Sequence, residues 1–180
     1  MGVVFHRLLQ TLKLERDAFV WMDFNDRATG DAVILVAITQ VLLALGTGTS
    51  LFSLFNPVTL VSLMVAAAFF WLIYTAATYA IVTFLLDGHG TFPLFLRITG
   101  FAFPSLLLII FSNLFLESLY VRSPPFALVL MLGAVWFVLI VSRGITYAAD
   151  IPTAKAMVGA IGGYVAVTVV QAILGGLRLF

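Results

Sequence analysis

The chain alternates long apolar runs with short polar breaks, and the spacing of those breaks predicts its elements. Val4, Phe5, Leu8, Leu9 and Leu12 recur at helical spacing, with His6, Arg7, Gln10 and Lys13 between them. This predicts an amphipathic N-terminal helix, either lying in the headgroup layer or packed on the cytoplasmic ends of a helical bundle. The two placements are compatible. A second short helix is expected through Glu15 to Met22, with Phe19, Val20 and Trp21 as interfacial anchors. Residues 1–31 therefore read as an interfacial region, and 32–180 as a membrane domain of five spans.

The first apolar run, Ala32 to Gly46, covers roughly 22 Å as a helix. That is short of the roughly 30 Å hydrocarbon core, so the span is expected to run over 32–50. Leu51–Phe55 then forms an interfacial or re-entrant piece before Asn56-Pro57. Residues 57–86 carry no charge. As a helix they would reach about 45 Å, so this span must tilt or overhang the core. Ala66–Ala68, Ala76, Ala77 and Ala80 give it a small-residue face, and Trp71, Tyr74 and Tyr79 read as packing residues. The third span is expected over 92–115, with Thr91 as its cap and Pro93 in its first turn. Pro104 sits inside it, where its ring opposes the carbonyl of Gly100, so a kink is expected between them. Spans four and five are expected over 126–148 and 153–174. The fifth carries Gly159-x-x-x-Gly163, a helix-packing pattern. Gln40, Asn113 and Gln171 are the polar groups deepest in apolar runs, suited to cross-helix hydrogen bonds or to lining a small cavity.

Composition agrees with an all-α integral membrane protein. Only 9% of the 180 residues are charged and 63% are hydrophobic, with a mean hydropathy of +1.18; a soluble domain has about 25% charged residues. The net charge of +1 leaves no basic face for nucleic acid. With no cysteine, disulfides, thiol catalysis and cysteine metal sites are excluded. His6 and Arg7 interrupt the first apolar residues, so the N-terminus does not read as a cleavable signal, and His6 also breaks the myristoylation pattern. Placing the N-terminus inside puts seven of the nine basic residues on inner segments, leaving Arg122 and Arg178 outside. The positive-inside rule then predicts a cytoplasmic N-terminus and a C-terminus on the opposite side.

The stretch from Asp87 to Pro104 (D-G-H-G-T-F-P-L-F-L-R-I-T-G-F-A-F-P) carries a resemblance. Its Gly88, Gly90, Phe92, Gly100 and Pro104, with Trp136 and the I-P-T-A-K-A segment ending at Lys155-Ala156, resemble the Yip-domain family. These are small polytopic membrane proteins named for eukaryotic members that interact with Ypt/Rab GTPases. The resemblance covers most of the chain and implies a five-span fold. The long polar N-terminal region and D-L-Y-G-P type motif of the trafficking branch are absent, so the chain looks like a short prokaryotic-type member. GTPase binding does not carry over.

No residues assemble into a recognisable catalytic grouping. Asp87 and His89 are too few for a metal site, and Gly88-His89-Gly90 lacks the strand that a dinucleotide site requires. No enzyme activity, cofactor or metal is expected. Asp87, Arg97, Arg143, Asp150 and Lys155 are expected at the cytoplasmic ends of spans two to five. They read either as ion pairs tying the helix ends together or as a docking surface for a partner or anionic headgroups. Two functions remain open: a scaffold or accessory protein that binds other integral membrane proteins through its helices, and a lipid-organising or membrane-shaping protein. A small transporter fits less well, because no ionisable residue lies mid-span, and so does a subunit binding a quinone or pigment, because Phe supplies 17 of the aromatic residues and mostly means packing.

Overall fold

The computed structural model describes residues 2–46, 48–108, 110 and 124–176, all of whose regular structure is helical. Helices α1 (Gly2–Leu12) and α2 (Arg16–Phe24) precede the bundle. Then come α3 (Ala28–Gly46), the single turn α4 (Leu51–Leu54) and α5 (Pro57–Ala80), which continues as a π-helical turn, Ile81–Leu85. Helix α6 (Phe92–Ala102) passes into a 3₁₀ turn, Phe103–Leu107. Helices α7 (Pro124–Ala149) and α8 (Thr153–Gly176) complete the order.

Among the described residues, four helical segments are long and apolar enough to cross a membrane: Ala28–Gly46, Pro57–Leu85, Leu132–Ala149 and Thr153–Leu174. The segment Phe92–Leu107 is apolar but shorter. Asn113, Glu117, Arg122 and Arg178, and the expected end of span three over 111–115, lie outside the described residues.

The first span differs from its expected bounds. It begins at Ala28, taking Asp31 into its first turn, and its 19 residues reach about 28 Å without residues beyond Gly46. Gly48, at φ 96°, follows it, and the Thr49 N–H donates to the Ala44 carbonyl at 2.9 Å, the wrap-around bond that stops a helix. Leu51–Leu54 is a helical turn in which the Ser50 hydroxyl accepts from the Ser53 N–H at 3.2 Å. Leu51, Phe52 and Phe55 stay exposed around it.

Helix α6 is the axis of the bundle. Eight of its eleven residues are buried, including Phe95, Ile98 and Phe101, and α3, α5 and α7 all pack on it. Between helices in lipid there is little hydrophobic drive, so close packing and hydrogen bonds decide which faces meet. Gly100 provides the close approach: a Cβ there would sit 2.6 Å from Ala32 Cβ and 3.1 Å from the Trp71 ring. Trp71 Nε1 donates to Thr99 Oγ1 at 2.9 Å, and the Thr75 and Thr99 hydroxyls lie 2.8 Å apart, joining α5 to α6. The kink expected at Gly100–Pro104 takes the form of the α-to-3₁₀ change at Phe103. Tightening the helix just ahead of Pro104 accommodates a ring that an α-helix interior does not.

Candidate functional site

The end of the bundle carrying α1 and α2 gathers most of the residues singled out by sequence. Its centre is Arg97, one turn inside α6 and only 6% exposed. The guanidinium has four acceptors. Nε donates to Thr29 Oγ1 at 2.8 Å, Nη1 to the Met22 carbonyl at 2.8 Å and the Asp23 carbonyl at 3.3 Å, and Nη2 to Asp26 Oδ1 at 2.7 Å. All four belong to the end of α2, the α2–α3 connection and the first turn of α3. The planar fork of arginine suits such a divided set, since each N–H points to a different acceptor. Arg97 thereby clamps the pre-membrane segment onto the membrane domain.

This pairs Arg97 with a residue outside the expected charge cluster. Among the described residues the salt bridge formed is Arg97–Asp26, with Asp26 wholly exposed. Asp87, Arg143, Asp150 and Lys155 are all exposed at this same end, and none makes a salt bridge among the described residues. Arg143 instead lies over the Tyr147 ring, 5.1 Å from its centroid, and Arg16 approaches the same ring at 5.7 Å. Asp26, Thr29 and Tyr147 were not singled out by sequence. Arg97 and Asp26 stand 71 positions apart, and no local pattern links them.

Helix α2 also departs from its expected role. Phe19 is buried rather than interfacial, stacking on Tyr147 with centroids 5.8 Å apart. It fits because Gly144 has no side chain: a Cβ there would come within 3.0 Å of the Phe19 ring. Trp21 is half-buried, edge-on to Phe101 at 6.0 Å and beneath Arg7 at 5.6 Å; Val20 alone of the three expected anchors is exposed. Helix α1 turns Val4, Leu8 and Leu12 toward the core and leaves Val3, Phe5 and Leu9 exposed on its other side.

The Gly88-His89-Gly90 turn is built otherwise than its glycines suggest. The left-handed residue is Asp87, at φ 55°. Aspartate tolerates that conformation better than most non-glycine residues. The Gly88 N–H donates to the Val82 carbonyl at 2.9 Å, a wider wrap than the usual helix stop because the last turn is π-helical. Both glycines serve close approach. A Cβ on Gly88 would lie 2.6 Å from Val82 Cγ1, and one on Gly90 3.2 Å from the Ala148 carbonyl oxygen. The His89 N–H donates to the Ala149 carbonyl at 3.0 Å, fastening the turn to the end of α7. Phe92 packs edge-on against Tyr79 at 5.6 Å. Thr91 stands at the cap position of α6 without a side-chain capping bond.

On the lateral side, Gly159 and Gly163 admit α5. A Cβ on Gly159 would lie 2.5 Å from Val82 Cγ2, and one on Gly163 would overlap the Thr78 hydroxyl and stand 3.1 Å from the Tyr74 carbonyl. The Tyr74 hydroxyl donates to the Ala160 carbonyl at 3.1 Å across the same interface. Among the described residues no group of three or more His, Asp or Glu is placed to hold a metal ion.

Comparison with protein families matches the Yip1 domain over residues 11–175. Comparisons with curated proteins and with solved structures give no match. The matched region runs from the end of α1 to the end of α8 and takes in the Arg97 clamp, the Asp87–Thr91 turn and the α5–α8 glycine contact. The chain belongs to the Yip1 domain family of multi-pass membrane proteins.

Proposed function

We propose that the protein is a non-enzymatic accessory or scaffold protein of a bacterial inner membrane, with a cytoplasmic N-terminus, that docks other integral membrane proteins. The observation that carries this reading is the exposed charge at the Arg97 end. Asp87, Arg143, Asp150 and Lys155 project there without salt bridges among the described residues. A mixed-sign set free of salt bridges among the described residues, beside a clamped two-helix platform, suits a polar partner surface, where charge complementarity selects the partner. Outward stripes support lateral contacts as well: Val58, Val61, Val65, Phe69 and Leu72 on α5, and Val158, Ile161, Val165 and Val169 on α8. The test is isolation of the native protein in mild detergent, followed by the paired substitutions Asp150→Lys and Lys155→Glu. Defined membrane proteins should co-purify and be lost from the charge-reversed variant. Isolation of the wild type as a lone species counts against the proposal.

A membrane-shaping role is favoured by one separate feature, the outward face of α1. Val3 and Phe5 are 64% and 63% exposed on a helix whose other side is already packed. Such a face can enter one leaflet as a wedge. Replacing both residues with Asn should then alter the shape of reconstituted vesicles, and unchanged vesicles would exclude this role.

A further inference from the structure

A cavity of about 320 Å³ lies between α3, α5, α7 and α8 and the 3₁₀ turn. Its walls are mostly apolar, with Ala67, Phe103 and Phe137 among them. Gln40 and Gln171 also line it. Counting along the helices places Gln40 roughly 18 Å and Gln171 roughly 27 Å from the clamped end of the bundle, in the far half of the membrane layer. Among the described residues neither carboxamide has a hydrogen-bond partner. Gln40 is half-buried and Gln171 exposed, and an amide that faces hydrocarbon is costly to leave unpaired. Among the described residues the cavity lining contains no charged side chain.

A second hollow, of about 250 Å³, adjoins it on the face between α7 and α8. Ala134, Val138, Leu139, Met157 and Ile161 line it, and Tyr164 forms a wall of both hollows. Among the described residues its lining is apolar apart from the tyrosine. The pair therefore provides a place for a neutral polar group beside two amides, and a greasy furrow leading away past Tyr164. Ligand pockets typically span about 300–1,000 Å³, and the two hollows together fall within that range.

We infer that this site holds a membrane-borne amphiphile with an uncharged carbonyl and a long apolar chain. The carbonyl accepts hydrogen bonds from the Gln40 and Gln171 amides, and the chain lies along the α7–α8 furrow. An acyl glyceride and an isoprenoid quinone share this chemistry. Among the described residues no cation lines the cavity to receive an anionic headgroup.

The experiment uses the full chain in lipid nanodiscs with two photoreactive probes, a diacylglycerol and a long-chain benzoquinone, each with its photoreactive group on the chain. Crosslinks are mapped by mass spectrometry on the wild type, a Gln40→Leu/Gln171→Leu double variant and Ala66→Phe, which fills the cavity from α5. One probe should label peptides bearing Tyr164 and Met157 saturably, and that probe identifies the ligand class. Labelling should fall on the order of five- to tenfold in the double variant, as expected for loss of one or two hydrogen bonds, and disappear in Ala66→Phe. Thermal melting of each variant checks folding; should Ala66→Phe fail to fold, the nearly volume-matched double variant decides. Labelling spread evenly over all lipid-facing helices, equal in wild type and double variant, or absent with both probes overturns the inference.

Discussion

Replacing Arg97 with methionine keeps the length and apolar stem of the side chain but removes every donor of the clamp. Four acceptors lose their partner, three of them neutral: the Met22 and Asp23 carbonyls and the Thr29 hydroxyl. A hydrogen bond from a charged donor is worth about 1.5–3 kcal/mol. Such bonds do not add fully, so the expected loss is about 3–5 kcal/mol, the range for dismantling a buried charged network. For a domain of this size that corresponds to a fall in melting temperature of about 6–20 °C. Asp26→Asn tests a different share of the same site. Asp26 is wholly exposed and its removal leaves Arg97 three other acceptors, so this variant should melt close to the wild type. Arg97→Lys should fall between the two, because an ammonium cannot reach divided acceptors as the guanidinium fork does. The assay is thermal unfolding in detergent, read beside limited proteolysis between α2 and α3. Arg97→Met should expose that connection to protease while the spans stay protected. The reasoning is refuted if Asp26→Asn is as damaging as Arg97→Met, or if Arg97→Met leaves melting and protection unchanged.

Other substitutions probe the remaining contacts. Gly163→Ala should destabilise by about 1–3 kcal/mol through overpacking, since its new methyl group meets both the Thr78 hydroxyl and the Tyr74 backbone; Gly30→Ala, with nothing within 4 Å, should be neutral or gain up to about 1 kcal/mol, and equal melting shifts for the two would contradict the packing argument. Asp87→Val should cost about 1–3 kcal/mol because a β-branched residue resists positive φ, whereas Asp87→Gly should melt at or above the wild type. Single cysteines at His89 and Thr153 should label from one side of the membrane and a cysteine at Ser53 from the other. Labelling of all three from one side would break the topology.

The glycines show how far local pattern reaches. Gly88 and Gly90 mark the reversal between α5 and α6, and the apolar periodicity locates that reversal to within a few residues. The reason glycine stands at these positions is only partly local: Val82 and Phe95 crowd them from the two flanking helices, Ala148 and Ala149 on α7 close over the turn, and the left-handed residue is Asp87. Phe19 teaches the same point from the other side. An aromatic residue in a short amphipathic segment reads as an interfacial anchor, and only the missing side chain at Gly144 creates the niche that buries it.

By itself the sequence determined the membrane class, the all-helical fold with an N-terminal helix ahead of the apolar ones, and the family. Each of these depends on quantities summed over neighbours in the chain: runs of apolar residues, helix-stopping Gly and Pro, and the scarcity of charge. Tertiary structure alone decided which helix lies at the centre, that Arg97 reaches back to Asp26 and the end of α2, and that Gln40 and Gln171 share one cavity. In lipid all apolar faces are nearly equivalent, so the faces that meet are chosen by small residues, aromatic rings and hydrogen-bonding groups brought together from distant parts of the chain.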